Sequence, residues 1–529
     1  MEQMDYLVIG TGPSGVSATA ALLASGASVR VVDPGVRLEP DKSERTERLR
    51  SRAPEQWTPD DLQFLKEGLK AGPSGFETKL CYGSDFPYRW EDPVVRYQSL
   101  QTPPVKASFA PGGLSNVWGA GILPFMDAEL ESWPIAGREL EPHFRAVLKL
   151  MNYSATHDEL EEHHPLHGEP GPALRLSAAA ARFLADTRRH SDRLKRSGVK
   201  VAPARLAVRS AECLYCGLCL YGCPWHLIWN SMHGLRELQR QYGSKLDYRV
   251  GWTVDTISEQ DGWVEVSGSS GGTEETLRAG RVFLGAGCIP STRILLKSGG
   301  HYDLPAPLID SQYFMFPFLR WRCAGDVFGE RMTTLAQLFV SLVAPQISRW
   351  SIHFSVYSFN DQIGDVLRKK LAIFGPLTTP LTRFFANRML VFGGYLHSDE
   401  SSRLELTLGQ PEADGVSRLV LSHQDNPRTH AAARSAALTL LRVWRSLGGV
   451  PLVPMLQVKD PGTSYHFGGS FPMTAKPTEI FQSDALGRPT GYRRVHLIDS
   501  SCLPSIPAST ITLSVMANAH RIATDAPDS

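Results

Sequence analysis

Asp5-Tyr-Leu-Val-Ile-Gly-Thr-Gly-Pro-Ser-Gly15, closed by Asp33, is the stretch on which the fold turns. Tyr6 to Ile9 reads as a short buried strand, and Gly10, Gly12 and Gly15 form a GxGxxG turn. Ser17 to Ala24 is an Ala/Leu-rich helix, and Val29-Arg-Val-Val32 is a second strand that delivers Asp33. In such a unit the glycines allow a tight turn, close approach of backbone to a pyrophosphate, and close packing of helix on strand. The helix N-terminus then offers free N–H groups and the positive end of its dipole to the diphosphate. Asp33, eighteen residues past Gly15, is placed to accept hydrogen bonds from the adenosine ribose hydroxyls. The competing reading is a glycine-rich turn without a ligand. Strand, turn, helix, strand and acid in that order favour a dinucleotide. The stretch does not separate FAD from NAD; its place at the start of the chain, and the segments after it, favour FAD.

Working outward, the 529 residues can hold more than one core, and 42% hydrophobic content is that of an ordinary globular chain. Fifty-five Lys+Arg against 54 Asp+Glu give a net charge of +1, which argues against a general nucleic-acid binder. No basic region followed by an apolar run suggests a secretory signal, and no apolar run is long enough to span a bilayer. A cytoplasmic protein is the default expectation. Residues 36–110 are polar and proline-rich, with one helix expected from Asp60 to Leu69. Lys79 to Trp90 reads as an aromatic-rich cover, and the whole excursion as a lid or partner surface.

Pro111-Gly-Gly-Leu-Ser-Asn-Val-Trp-Gly-Ala-Gly121 carries four glycines around Ser115 and Asn116. Such a loop lets backbone N–H groups come close to a flat ring or a phosphate, or is simply a packing turn. Helices are expected over Gly137–Met151 and Ser177–Ser197. The His-rich run from His157 to His167 has no compact metal-ligand spacing and reads as a solvated loop.

Four of the eight cysteines lie in Cys213-Leu-Tyr-Cys-Gly-Leu-Cys-Leu-Tyr-Gly-Cys-Pro224. The spacing C-x2-C-x2-C-x3-C-P matches an iron–sulfur ligand run. Cys213, Cys216, Cys219 and Cys223 are therefore candidate ligands of a [4Fe-4S] or [3Fe-4S] cluster. Zinc, which more often draws on two separated ligand pairs, and reduced structural thiols are the alternatives. Further on, Tyr248–Ile257 and Trp263–Ser267 read as strands, Ser291–Ser298 as a helix, and Cys288 as a small buried residue. Strand-like runs at Gln312–Arg322, Trp350–Ser358, Met389–His397 and Arg403–Leu408, with a helix over Thr429–Leu447, suit a second domain built on a sheet. Between them, Leu367 to Arg388 mixes bases with Leu, Ile and Phe. It is either a membrane- or partner-facing segment or a basic surface element packing its apolar side inward.

The order of GxGxxG, the GGxSxxW loop, Gly285-Ala-Gly-Cys-Ile-Pro-Ser-Thr-Arg-Ile-Leu-Leu-Lys-Ser-Gly299 and a His-containing C-terminal block resembles the glucose–methanol–choline oxidoreductases. The loop is most similar to that of the pyranose oxidase and sugar dehydrogenase branch. The resemblance implies an α/β fold, in which a Rossmann-type FAD-binding domain (1–120, 205–300 and 461–529) interleaves with a substrate domain on an antiparallel or mixed sheet (121–204 and 301–460). Some pyranose oxidases carry a histidine before the loop tryptophan that bonds covalently to FAD. Here Val117 stands there, which implies non-covalent FAD. By the same resemblance Gly10, Gly12, Gly15, Asp33, Gly112, Gly113, Ser115, Asn116, Val254, Ala286, Asp499, Thr510 and Ile511 hold the cofactor, with Val254 touching adenine. His466 matches the base that faces flavin N5. The family's second active-site residue, His or Asn, falls at Thr510, which donates a hydrogen bond but is no base at neutral pH. Taken alone, a lone histidine beside glycines is more often a hydrogen-bonded structural residue. Sugar dehydrogenases with a cysteine-ligated cluster beside FAD have a related cysteine run with different spacing.

The implied activity is oxidation of a CH–OH group on a sugar, polyol or glycosylated small molecule. Electrons would pass to an external protein or quinone acceptor. The alternatives are an oxygen-using oxidase with structural cysteines and a non-catalytic flavin-binding assembly factor.

Overall fold

The computed structural model describes residues 3–67, 79–90, 95–99 and 105–528. β1 (Gln3–Ile9) runs parallel between β2 (Val29–Asp33) and the strand Thr273–Leu284. Leu246–Val250 extends the parallel set beyond β2, and Val495–Leu497 lies parallel beside Thr273–Leu284. All five residues of β2 are buried, as expected for a parallel strand covered on both faces. The helix α1 (Pro13–Ala24) is built from Ala, Ser, Gly and Leu and buries ten of its twelve residues. Its small side chains let the C-terminal helix Thr512–Asp525 pack alongside.

The antiparallel pair Trp252–Glu259 and Val264–Ser270 continues this sheet on the far side of Thr273–Leu284. The single strand expected over Tyr248–Ile257 is thus two strands. Gly251 breaks it, donating its N–H to the Asp33 carbonyl at 2.8 Å, and the halves pair with different neighbours. Similarly, the expected helix Ser177–Ser197 is two helices, Ala178–Arg188 and Ser191–Arg196. The helix expected from Asp60 spans Pro59–Lys66, and position 69 lies outside the described residues.

A second sheet is antiparallel throughout, in the order Gly449–Pro451, Tyr313–Arg320, Met389–Tyr395, Ser351–Tyr357, Leu338–Val343, Val199–Pro203. Phe314, Phe316, Phe318, Phe354 and Phe392 form its buried aromatic core. A third sheet joins Phe467–Gly468, Pro305–Asp310, Arg403–Leu408, Ser417–Gln424 and Val95–Ser99. It contains strands from both proposed domains, so the two interleave by sharing hydrogen-bonded strands.

The His157–His167 run is not simply solvated. Arg205, 1% exposed, pairs with the buried carboxylate of Asp158 at 3.0 Å, and buried His164 bonds the Pro124 carbonyl through Nδ1 at 2.8 Å. A guanidinium so deep requires a carboxylate beside it, and that draws the polar run inward. Among the described residues, no helix is long and apolar enough to cross a membrane.

Candidate active site

Two backbone contacts dictate the N-terminal turn. A side chain on Gly10, which has φ +97°, would meet the Gly285 carbonyl oxygen at 2.4 Å, and one on Gly15 would meet the Gly10 carbonyl oxygen at 2.0 Å. Gly12, the N-cap of α1, has nothing within 4 Å of where a Cβ would stand, so its face opens into a cavity. That cavity, about 1200 Å³ including its open mouth, is lined by Gly10, Gly12, Asp33, Gly113, Val254, Ala286, Asp499 and Ile511 of the expected set. A free helix N-terminus, an open glycine face and an acid at the end of β2 fit a dinucleotide.

Asp33 accepts from the Thr11 N–H at 3.0 Å, the Thr11 hydroxyl, and the Gly35 N–H at 2.9 Å. Burial outweighs these bonds and pushes its carboxyl up to about 6. Asp499 accepts from the Gly287 N–H at 2.9 Å and the Ser291 hydroxyl at 2.6 Å through one oxygen. Its other oxygen takes the Ser501 N–H at 2.9 Å and the Ser501 hydroxyl. The carboxylate therefore fixes the 285–287 turn against the start of helix Cys288–Ser298. Val254 sits at a β-bulge, and the buried Arg293 guanidinium grips its carbonyl at 2.7 Å. Lys106, unremarked in the sequence, also lines the cavity, its ammonium 5.6 Å from the Tyr88 ring centre.

Several expected cofactor residues stand outside the lining. Gly15 is consumed by packing. Gly112 donates to the Thr11 hydroxyl at 2.9 Å, and Ser115 bonds the Ser231 N–H at 3.1 Å. Asn116 donates to the carbonyls of Pro111 at 3.0 Å and Gly113 at 2.7 Å. Ser115 and Asn116 thus spend their polar atoms holding the loop in shape, and Gly113 and Leu114 are what it presents to the cavity.

The neighbours of His466, Tyr465 and Phe467, line the same cavity. His466 is half-buried, and its Nδ1 is buried without a hydrogen-bond partner. Desolvation holds its pKa down at about 4, so the imidazole is neutral at pH 7 and free to accept a proton. Tyr395 stacks on the ring, centroids 4.7 Å apart and planes at 25°, and Tyr313 contacts Tyr395 at 5.0 Å. His353, whose pKa burial lowers to about 3, lies 6.3 Å from Tyr395.

A relay of polar contacts sets the backbone of His466. Buried Asp310 accepts from the Gly462 N–H at 2.7 Å and from the Ser464 hydroxyl. The same Ser464 oxygen accepts the His466 N–H at 2.8 Å, and the His466 carbonyl accepts the Ser311 N–H at 2.9 Å. Tyr465 is held at φ +61°, uncommon for a bulky residue and a mark of local strain. Thr510 is buried, its oxygen taking the Leu123 N–H at 2.8 Å and its methyl lying over Gly121. The sequence did not point to Asp310, Tyr395, Tyr313 or His353. They come from separate strands of two sheets, and no local spacing ties them to residue 466.

The four cysteines of the 213–223 run hold free thiols and line one small apolar cavity with Val208, Trp225, Leu227 and Leu335. Burial raises the pKa of Cys213, Cys223 and Cys216, the last to about 12. Among the described residues, no three His, Cys, Asp or Glu side chains converge to hold a metal ion. The run from Lys79 is a wedge rather than a cover. The Tyr82 ring lies where a Gly222 side chain would be, at 2.7 Å, and its hydroxyl bonds the Cys223 carbonyl at 2.9 Å. On its other side Lys79 donates to the Trp118 carbonyl at 2.9 Å, which ties the cysteine loop to the glycine loop.

No family model matches the chain, and no curated protein matches it in sequence. Solved structures do match in fold. Pyridoxine 4-oxidase from Mesorbium loti superposes with a TM-score of 0.59 at 14% identity, over 98% of each chain. Formate oxidase from Aspergillus oryzae, in a variant studied for FAD modification, gives 0.58 at 14% identity over 99% of this chain and 97% of its own. The likeness is one of fold: this chain shares with both oxidases an α/β arrangement in which a Rossmann-type domain interleaves with a sheet-based domain.

Proposed function

We propose that the chain is an FAD-dependent oxidoreductase that oxidises a CH–OH group to a carbonyl. The observation that carries this reading is an imidazole, neutral at pH 7 and unpartnered at Nδ1, set beside a cavity with dinucleotide-binding geometry. FAD, when bound non-covalently, supplies the hydride acceptor for the carbinol C–H. His466 removes the hydroxyl proton as the C–O bond becomes C=O. Tyr395 keeps the imidazole in plane, and the Asp310–Ser464 contacts hold its backbone. The Thr510 oxygen already accepts from Leu123, which leaves its own proton to steady the substrate oxygen. Sugars, polyols and glycosylated small molecules are the substrate class, by analogy with the sugar-oxidising branch.

The iron–sulfur spacing of Cys213, Cys216, Cys219 and Cys223 supports a cluster, although the four thiols line their cavity without converging as a metal-ligand group. Such a cluster supplies one-electron chemistry when bound, which suits a dehydrogenase with a protein or quinone acceptor. The second reading is an oxidase with structural cysteines. It is favoured by the oxidase activity named for both structural neighbours and by the absence of a converged metal-ligand group among the described residues. The test is anaerobic purification, iron and sulfide assay, then a panel of alcohols scored by flavin bleaching and by peroxide in air. Bleaching with iron and no peroxide supports the dehydrogenase. Bleaching with peroxide and no iron supports the oxidase. No bleaching by any alcohol refutes both.

A further inference from the structure

The segment 361–388 leaves the substrate-domain sheet as a helical hairpin. Helix Asp361–Leu371 leads into a short 3-10 turn, Ala372–Leu377, and helix Thr378–Ala386 returns. Its base is anchored. Ile363 and Ala386 are buried with Met315, Met389 and Val391, in a cluster against which Tyr313 and Tyr357 pack. Its tip is not: Ile373 is 84% exposed, Leu377 59% and Phe374 48%, and Phe384, nearer the base, is 47% exposed. The inward-packing alternative therefore holds at the base and fails at the tip. An apolar tip this open is costly in water, and Ile373, Phe374 and Leu377 all belong to the single turn Ala372–Leu377.

The charges around the tip identify what covers it. From Val366 to Ser398 there is no Asp or Glu, while Arg368, Lys369, Lys370, Arg383 and Arg388 follow one another. Arg368 is paired with Asp365, and Arg383 lies 3.6 Å from Asp326. Lys369 and Lys370 are exposed and make no ion pair among the described residues. Arg388 sits 4.1 Å above the Phe384 ring. A convex apolar knob with basic residues behind it matches the interface of an anionic bilayer. Phe and Ile enter the acyl boundary there, and Lys and Arg reach the headgroups. A protein partner would instead have to supply a deep apolar socket ringed with acids.

We propose that this hairpin seats the protein on the surface of an anionic lipid membrane, without spanning it. Ile373, Phe374 and Leu377 insert, and Lys369 and Lys370 contact headgroup phosphates. The substrate side would then lie near the bilayer, because Tyr313 links the hairpin base to Tyr395 and so to His466.

The test is flotation of the flavin-loaded full chain with vesicles of phosphatidylcholine alone and of three parts phosphatidylcholine to one part phosphatidylserine. The wild-type protein is expected to float with the anionic vesicles and to be released by salt. I373S/F374S/L377S, and separately K369E/K370E, are expected to weaken binding by about tenfold or more. Their flavin spectra should be unchanged, since these side chains touch nothing in the core. The proposal is overturned if the wild type stays with the soluble fraction, or if the tip variant floats as well as the wild type. A dimer in solution that the tip variant splits, with no flotation, would also overturn it and assign the patch to a second copy.

Discussion

The glycine cradle and the proposed substrate face around His466 lie side by side yet are specified in different ways. In the cradle, backbone meets backbone: Gly15 against the Gly10 carbonyl, Gly10 against the Gly285 carbonyl, Gly12 open to the cavity. Only one residue type fits such contacts, so the requirement is written at fixed spacing in the sequence. Beside His466, by contrast, side chains meet side chains. Tyr395, Tyr313, Asp310 and His353 are brought in by strands far apart in the chain, and other residues could fill the same space. The cradle is set by local backbone geometry, whereas the surroundings of His466 are assembled by tertiary packing.

The sharpest way to break this comparison is Gly15→Ala. A methyl group at 2.0 Å from a carbonyl oxygen cannot be absorbed by side-chain movement. The variant should lose about 3 kcal/mol or more of stability and bind no flavin, measured by denaturant unfolding and flavin absorbance. Retention of full flavin would mean that the cradle is not rigid.

Next comes the substrate face. Asp310→Ala strands the Gly462 N–H and the Ser464 hydroxyl, which should cost about 1–3 kcal/mol of stability. By letting His466 shift, it should also lower kcat/KM between about ten- and a hundred-fold while flavin stays bound. An unchanged kcat/KM would detach Asp310 from the placement of the imidazole.

A smaller effect concerns pH. Because burial holds the His466 pKa at about 4 rather than 6.5, the base stays unprotonated down to that lower value. The acid limb of kcat/KM should therefore fall near 4, and a limb near 6.5 would mean a solvated imidazole. The smallest effect is in Asp33, whose carboxyl is raised from 3.8 to about 6. A folded-state pKa above the unfolded value gives stability that is complete below the lower value and lost as pH rises through the upper one. Flavin-free protein should weaken over that window in an unfolding series against pH. Ribose hydroxyls donating to Asp33 should reduce the loss when FAD is bound.

Much of the architecture was legible in the chain. β1, α1, β2 and the long strands of the second sheet are uniform apolar runs or strong periodic signals. Leu338–Val343 carries no such signal, because five consecutive buried residues have no alternation to reveal a strand. The break at Gly251 was equally hidden, since it reflects a bond to Asp33 more than two hundred residues away. Within the site, glycines and acids at fixed spacing pointed to the cavity. Ser115 and Asn116 also brace their own loop, through bonds that no spacing in the sequence announces. The cysteine run was visible at once, while the Tyr82 wedge that shapes it was not, because an aromatic filling the space left by a glycine has no signature in sequence.

The most direct measurement is anaerobic mixing of flavin-loaded His466→Ala with an alcohol that bleaches the wild-type flavin. The variant should keep its flavin while the bleaching rate falls about 100- to 10,000-fold, with partial recovery as solution pH rises and hydroxide replaces the missing base. Bleaching at the wild-type rate would contradict the account, because proton removal would then belong to another group.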